Sequence, residues 1–145
     1  IGYDGGAGDT GELVAGVRDL RERHEFAADT VAAIGDLTRT GESTLAAAAD
    51  EGLTDDHLDA LGELMDVDHG LLSALGVSAR SLDEMVWTAR EAGATGAKLT
   101  GAGGGGCVVA LDPTDATETA LSLAPACERA FRAELATEGV RIESE

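Results

Sequence analysis

The residues most able to do chemistry in this sequence form a glycine-rich segment, Gly101–Gly106, with five glycines in six positions. Each ordered glycine costs roughly 0.5 to 1 kcal/mol relative to alanine, so folding alone gives no reason for such a run. Backbone without Cβ atoms can turn several N–H groups toward one point and form a nest for an anion, most often phosphate. The segment therefore predicts a phosphate-binding loop.

Two polar side chains, Lys98 and Thr100, directly precede the glycines, and Lys98 is the only lysine among ten basic residues. Alternation along a strand would point both side chains to the same face. We expect Thr100 to contact or support phosphate and Lys98 to lie at the edge of the site. The alternative for Lys98 is a simple ion pair with a neighbouring acid. A flexible linker is disfavoured for the segment as a whole because apolar, strand-like residues border it on both sides.

Two common phosphate-binding motifs do not match the segment. A Walker A motif places its lysine after the glycines and before a helix, whereas here the lysine comes first and a strand follows. The dinucleotide fingerprint G-x-G-x-x-G requires a βαβ context, which is absent from the pattern. The segment therefore predicts a nest between two strands.

The remaining polar candidates are interpreted as structural. Three histidines lack metal-ligand spacing and are expected at the surface or in helix packing: His24, His57 and His69. Acidic pairs in so acidic a chain predict solvated faces, and one of them also suits a helix N-terminus: Asp66 with Asp68, and Asp55 with Asp56. Ser78 and Ser81 stand before a helix that leads toward the glycines, and helix capping is the favoured role for both.

Periodicity and capping signals predict helices first and strands later. The predicted helices run from Asp9-Thr10, from Phe26 to about Gly41, over Leu45–Ala49, from Thr54 to Gly76, and from a capping box at Ser81 and Glu84 to Gly93. The predicted strands are Ala97–Thr100, Cys107–Leu111 and Val140–Glu143, with helical residues from Asp115 to Thr137 interrupted near Pro125. Trp87 and Phe131 are expected in the core. The fold class is α+β, with one small sheet.

Composition limits the classes of function. A length of 145 residues allows one modest core, and a net charge of -18 disfavours nucleic acid and membrane surfaces as partners. No secretory signal is visible, so we expect a cytoplasmic protein, and the start at Ile1 without methionine suggests a fragment. The two cysteines have neither zinc nor disulfide spacing and are predicted to be small buried thiols. Strong acidity with one lysine suggests a halophilic surface, with an ordinary acidic protein as the alternative.

Three stretches resemble one family, the GHMP kinases. The segment Lys98–Cys107, read K-L-T-G-A-G-G-G-G-C, is similar to the third motif of that family in the wording of its mevalonate kinase branch. Asp68–Ser78, followed by Ser81-Leu82-Asp83, and Thr10–Arg18 are similar to two further stretches of that branch. The resemblance implies a ferredoxin-like C-terminal lobe and covers nearly all of the chain.

The resemblance also implies a reaction, the transfer of the ATP γ-phosphoryl group to the 5-hydroxyl of mevalonate in isoprenoid synthesis. The family's first loop, P-x-x-x-G-L-G-S-S-A, and its catalytic aspartate belong to an N-terminal lobe, and neither occurs in these 145 residues. Mg²⁺ and most ATP contacts are therefore expected from that lobe, with no catalytic residue in this chain and no activity of the chain alone. The phosphate-supporting residues would be Lys98, Thr100, Gly101, Ala102, Gly103, Gly104, Gly105 and Gly106, with Ser78 near the substrate.

Other functions stay open at this point. Within the superfamily, phosphomevalonate kinase or another GHMP kinase fits the same motif. From a different class, the chain could be a stand-alone regulatory domain that binds an anionic metabolite. The expected partners are ATP, a mevalonate-like substrate and the N-terminal lobe, and a homodimer is left open.

Overall fold

The computed structural model describes residues 1–134, which form an α+β domain of five helices and four strands. The elements in chain order are β1 (Gly2–Tyr3), α1 (Thr10–Arg23), α2 (Glu25–Glu51), α3 (Asp55–Ala74), α4 (Arg80–Glu91), β2 (Gly96–Thr100), β3 (Cys107–Leu111), α5 (Ala116–Leu123) and β4 (Arg129–Ala130). Within this part of the chain, no helix combines the length and apolar character that crossing a bilayer requires.

The strands form one antiparallel sheet in the order β2-β3-β1-β4. β2 and β3 pair along their whole length, with Lys98 opposite Val109 and Thr100 opposite Cys107. The glycine segment therefore closes a hairpin, and its first strand, β2, lies at the edge of the sheet. The two predicted strands that border the glycines are confirmed.

The core lies between the sheet and the helices α4 and α5. α4 supplies an apolar face with the spacing of helical turns, as predicted, and β2, β3 and α5 supply the opposing side chains. The buried cluster consists of Leu82, Met85, Val86, Ala89, Ala97, Leu99, Val108 and Leu121.

Helix α3 crosses β2 at very short range because both elements carry glycine at the contact. A Cβ atom on Gly62 would lie 2.2 Å from the carbonyl oxygen of Thr95, and one on Gly96 would lie 2.2 Å from the carbonyl oxygen of Gly62. Real Cβ atoms do not approach backbone so closely, so only glycine fits at either position. This approach brings the side chains of α3 within reach of the edge of β2.

Several predicted helix ends are confirmed. Asp9 is the N-cap of α1 and accepts the backbone N–H of Glu12, and Thr54 caps α3 together with His57 in a capping box. Gly76 and Gly93 follow α3 and α4 with positive φ angles of 78° and 100°. These are conformations that favour glycine.

The prediction of two helices between Phe26 and Ala49 is wrong, since α2 is one continuous helix from Glu25 to Glu51. Gly41 lies inside the helix and faces Leu64 of α3, 3.7 Å from the position of a Cβ atom. A glycine inside a helix costs only about 1 kcal/mol. Packing of α2 along α3 offsets that cost, which local propensity could not reveal.

The predicted long helix from Asp115 is also wrong, because α5 ends at Leu123. Ala124 has extended backbone with ψ of 129°, as a residue before proline favours, so Pro125 ends the helix and does not restart it. Residues 125–134 contain the short strand β4 and no further helix. The rest of the predicted helix and the predicted strand Val140–Glu143 lie outside the described residues.

Four side chains expected in the core are not buried. Trp87 is 66% exposed because it lies on α4 away from the apolar face, and Phe131 is 40% exposed, with the Arg129 guanidinium 5.5 Å from its ring centre. Cys107 and Cys127 are free thiols that are half-buried. Burial of these four side chains thus follows their position in the fold more than their residue type.

Candidate functional site

The glycine loop has a backbone conformation that requires its glycines. Ordinary L-residues avoid positive φ angles because of their Cβ atoms. Five of the six residues have such angles, namely Gly101 (82°), Gly103 (90°), Gly104 (70°), Gly105 (133°) and Gly106 (101°).

One side of the loop packs on the connection between α3 and α4. The N–H group of Gly104 donates to the carbonyl oxygen of Val77 at 2.8 Å. A Cβ atom on Gly103 would lie only 1.8 Å from the same oxygen. Val77 thus fixes the middle of the loop, and the contact is possible because Gly103 has no side chain.

The other side of the loop packs on the segment after β1. The N–H group of Gly106 donates to Asp4 Oδ1 at 2.8 Å, and the N–H group of Asp4 donates to the carbonyl oxygen of Gly106 at 3.0 Å. A Cβ atom on Gly8 would lie 2.1 Å from the carbonyl oxygen of Gly103. The loop is therefore held between two separate backbone segments.

Asp4 joins three parts of the site through one carboxylate. Its Oδ1 atom also accepts the N–H group of Gly6 at 2.8 Å, and its Oδ2 atom accepts the hydroxyl of Ser81 at the start of α4. Burial alone would raise the pKa of Asp4, but the hydrogen bonds from Ser81, Gly106 and Gly6 outweigh burial and lower it. The predicted capping box is wrong: the N-cap is Ala79, which has no side-chain cap, and Ser81 binds Asp4.

Four N–H groups of the loop make no hydrogen bond to the described residues, and of these four residues Gly103 is buried while the other three are at least partly exposed. Within residues 1–134, no protein atom accepts a hydrogen bond from the N–H groups of Gly101, Ala102, Gly103 or Gly105. Thr100, at the end of β2, is exposed beside them. Adjacent unpaired amides on a fixed backbone can bind an anion, and here the two other amides hold the loop to the protein.

Lys98 lies against α3. Its ammonium group is 3.1 Å from Asp68 Oδ2 and donates to the carbonyl oxygen of Leu99 at 3.0 Å. The two charged side chains are only 24% and 18% exposed. The ion pair with a neighbouring acid, weighed above as the alternative for Lys98, is therefore present.

The prediction that Asp66 and Asp68 form a solvated face is wrong. Asp66 Oδ1 accepts the N–H group of Ala97 at 2.8 Å and the Nε–H of Arg90 at 2.7 Å, while Asp68 pairs with Lys98. The close crossing of α3 and β2 brings both carboxylates to the strand edge. Asp55 and Asp56 do lie in the first turn of α3, as predicted.

Ser78, His69 and Asp83 form a polar cluster beside the loop. Ser78 Oγ donates to Asp83 Oδ1 at 2.6 Å, His69 Nε2 lies 3.1 Å from the same oxygen, and the N–H group of Leu99 donates to His69 Nδ1 at 3.3 Å. Burial lowers the pKa of His69, and the attraction of Asp83 only partly opposes that effect. His69 is buried, in keeping with the structural role expected for it, whereas Ser78 binds a side chain and caps no helix.

Sequence reasoning missed Asp4 and Asp83 as residues that hold the loop. A signal existed for Asp4, since a single acid between a strand and two glycines is well placed to accept backbone N–H groups. Asp83 belonged to a stretch that resembled the family, but its partners on α3 and in the preceding connection are not adjacent in sequence. Only the packing brings them together.

A groove of about 270 Å³ runs beside the loop along α1. None of the residues of α1 is buried, and Val14 is 62% exposed. Arg18 and Arg21 line the groove together with the apolar residues Leu13, Val14, Val17, Val77 and Ala102. Apolar walls with two guanidinium groups suit a small anionic molecule.

Comparison with known proteins defines the class to which this fold and loop belong. The family described as GHMP kinases C terminal matches residues 45–128, which include α3, α4 and the glycine loop. The chain belongs to this family. The resemblance drawn from the three stretches is confirmed, as is the α+β class with a small antiparallel sheet.

Several relatives of the chain are mevalonate kinases. The chain is 42% identical over 144 residues to the mevalonate kinase of Thermococcus gammatolerans and 44% identical to that of Pyrococcus horikoshii. Each match covers 99% of this chain and 42% of the relative, so the chain spans about two fifths of their length. The crystal structure of L. major mevalonate kinase in complex with R-mevalonate is similar with a TM-score of 0.72 and 29% identity, over 90% of this chain and 40% of that one.

Proposed function

We propose that this chain is the C-terminal lobe of an ATP-dependent kinase that transfers the γ-phosphoryl group to the 5-hydroxyl of mevalonate. The observation that carries the proposal is the glycine loop, which has four unpaired N–H groups on a backbone fixed from both sides. The relatives named mevalonate kinase support the choice of substrate.

In this proposal the loop acts by electrostatic stabilisation. Negative charge on the oxygens of the transferred phosphoryl group needs donors that are already oriented. The N–H groups of Gly101, Ala102, Gly103 and Gly105 would supply them, with the Thr100 hydroxyl at the rim. Because Val77 and Asp4 hold Gly104 and Gly106, the loop is ordered before a ligand binds.

The groove beside α1 is proposed to receive the acidic part of the substrate. At about 270 Å³ it is smaller than the usual range for drug-sized ligands and suits a small acid better than a nucleotide. Arg18 and Arg21 could bind a carboxylate, because guanidinium groups match its planar geometry. Ser78 follows Val77, which lines the groove, and this position supports its proposed place near the substrate.

The described residues do not fit Mg²⁺. Across residues 1–134, no three His, Cys, Asp or Glu side chains are grouped so as to hold a metal ion, and both oxygens of Asp4 already accept hydrogen bonds. We assign Mg²⁺, the catalytic base and most ATP contacts to an N-terminal lobe, in keeping with the greater length of the relatives. Lys98 would support the edge of the site through β2, since Asp68 engages its charge. The proposal includes a cytoplasmic location and makes no choice between a monomer and a homodimer.

The test is a phosphoryl-transfer assay on the whole protein that carries this chain, with ATP and Mg²⁺ and with mevalonate, phosphomevalonate or homoserine as acceptor. We expect turnover with mevalonate as acceptor and none with phosphomevalonate or homoserine. Gly101→Ala should reduce kcat about tenfold, or about 1.4 kcal/mol at the barrier, because positive φ at this position disfavours a side chain although nothing lies within 4 Å. Gly70→Ala, on the open face of α3, is the matched control and should leave kcat unchanged.

Other outcomes would replace the proposal. Turnover with phosphomevalonate alone would assign the chain to the neighbouring branch of the superfamily. Phosphate binding without transfer to any acceptor would favour a stand-alone anion-binding domain. Equal kcat for Gly101→Ala and the unchanged protein would remove the loop from the reaction.

A further inference from the structure

We infer that Asp83, acting through Ser78 and His69, is a positioning residue for the glycine loop. Asp83 Oδ1 accepts hydrogen bonds from both side chains. Ser78 and His69 each connect to a different backbone contact with the β2-β3 hairpin. The kinetic part of this inference rests on the proposed function. The part that concerns loop order does not.

The first path runs through the connection before α4. Ser78 donates to Asp83 Oδ1 at 2.6 Å, which fixes the peptide that follows Val77. The carbonyl oxygen of Val77 accepts the N–H group of Gly104 and lies in van der Waals contact with Gly103. A displacement of Ser78 would therefore move the acceptor on which the middle of the loop rests.

The second path runs through the edge of the sheet. Leu99 is fully buried, so its outward N–H group has no access to water and needs an acceptor. His69 Nδ1 is that acceptor at 3.3 Å, and it can accept only if the ring proton is on Nε2. Asp83 Oδ1, 3.1 Å from Nε2, stabilises this tautomer. Leu99 is two residues before Gly101, so the tautomer fixes the strand where the loop begins.

A general stabilising role for Asp83 makes a different prediction, and the molecule contains a matched control. Asp66 also lies at the crossing of α3 and β2. Its Oδ1 atom accepts hydrogen bonds from the outward N–H group of the strand and from Arg90. Its contact is at Ala97, on the side of Leu99 away from the loop. Loss of Asp66 should therefore weaken the same packing without releasing the loop.

The experiment compares four variants of the whole protein that carries this chain by NMR: Asp83→Ala, Asp83→Asn, Ser78→Ala and Asp66→Ala. The readouts are ¹⁵N order parameters of the loop amides and hydrogen exchange at Leu99 relative to Val108. In Asp83→Ala, we expect the order parameters to fall from about 0.85 to about 0.6, and exchange at Leu99 to rise about tenfold more than at Val108, the effect of about one hydrogen bond. Asp83→Asn retains the accepting oxygen and should stay close to the unchanged protein.

The remaining variants separate the two paths. Ser78→Ala should loosen the loop with little effect on exchange at Leu99, and it is the milder change if Asp83→Ala fails to fold. Asp66→Ala should lower the melting temperature and leave the loop order parameters unchanged. Equal loosening in Asp66→Ala and Asp83→Ala, or an unchanged loop in both Asp83→Ala and Ser78→Ala, would overturn the inference.

In the whole protein, Asp83→Ala should reduce kcat about tenfold while KM for the acceptor changes by less than about threefold, and Asp83→Asn should restore kcat. A change in KM alone would overturn the positioning role in the reaction. If the unchanged protein shows no phosphoryl transfer while the loop loosens as expected, the proposed function fails and the positioning of the loop by Asp83 is retained.

Discussion

Asp4 and Gly106 bind each other twice, although 102 positions separate them in the sequence. The N–H group of Gly106 donates to the carboxylate of Asp4, and the N–H group of Asp4 donates to the carbonyl oxygen of Gly106. The pair continues the pairing of β1 with β3 beyond the end of the strands. It joins the first segment of the chain to the end of the glycine loop.

Removal of the Asp4 carboxylate should therefore destabilise the fold at the loop. Asp4→Ala leaves the N–H groups of Gly6 and Gly106 and the Ser81 hydroxyl without their acceptor, at an expected cost of about 1 to 3 kcal/mol. Urea denaturation measures this free energy of unfolding. Asp29→Ala, on the exposed side of α2, is the control and should change stability by less than about 0.5 kcal/mol. Equal stability of the two variants would contradict the role of Asp4.

The Asp112 carboxylate should make the free energy of unfolding depend on pH in the acid range. Its carboxylate accepts the N–H groups of Thr114 and Thr117 at the start of α5, at 2.6 and 2.9 Å. Burial would raise the pKa of Asp112, but the hydrogen bonds from Thr117 and Thr114 outweigh burial and lower the pKa from 3.8 to about 2. Because the folded value is below the unfolded one, the stabilisation is present above about pH 4 and is lost as the pH falls through about 2.

A ¹³C titration of the Asp112 carboxyl group should show this low midpoint. Asp112→Asn should reduce the free energy of unfolding at pH 6 by about 1 to 2 kcal/mol. The difference between variant and unchanged protein should shrink toward pH 2. A midpoint near 3.8 would show that the hydrogen bonds at α5 do not hold the carboxylate.

The close crossing of α3 and β2 can be tested with two glycines of the same helix. Gly62→Ala places a Cβ atom 2.2 Å from the backbone of Thr95, so the helix must move from the strand, and we expect a loss of stability of about 1 to 3 kcal/mol. Gly70→Ala meets nothing within 4 Å and should stabilise the helix by roughly 0.5 to 1 kcal/mol. Thermal unfolding followed by circular dichroism compares them. Similar melting temperatures for both variants would rule out the close contact.

Salt should stabilise the protein if its acidity is an adaptation to high salt. With a net charge of -18, repulsion between carboxylates opposes the compact state at low ionic strength, and at 1 M salt the screening length falls to about 3 Å. Helicity should therefore rise toward molar KCl. A protein that is fully folded in dilute buffer, with the same melting temperature in molar KCl, would contradict the halophilic interpretation.

Local signals in the sequence predicted the features that depend on neighbouring residues. The N-caps at Asp9 and Thr54, the apolar face of α4 and the two strands around the glycines all follow from spacing within a few positions. The excess of glycine also indicated a special backbone, and five positive φ angles bear out that indication. Such features were predictable because their energies arise within a helical turn, a strand pair or a loop.

Tertiary structure decided the features that depend on contacts between distant segments. Whether Gly41 ends a helix depends on α3, and whether Asp66 and Asp68 are solvated depends on how closely that helix crosses β2. The anchors of the loop at Asp4 and Val77 come from parts of the chain far from the glycines. The sequence by itself determined where the backbone needs the positive φ angles of glycine. Packing determined which amides of the loop hold it to the protein, because a hydrogen bond between distant segments exists only once the fold has brought them together.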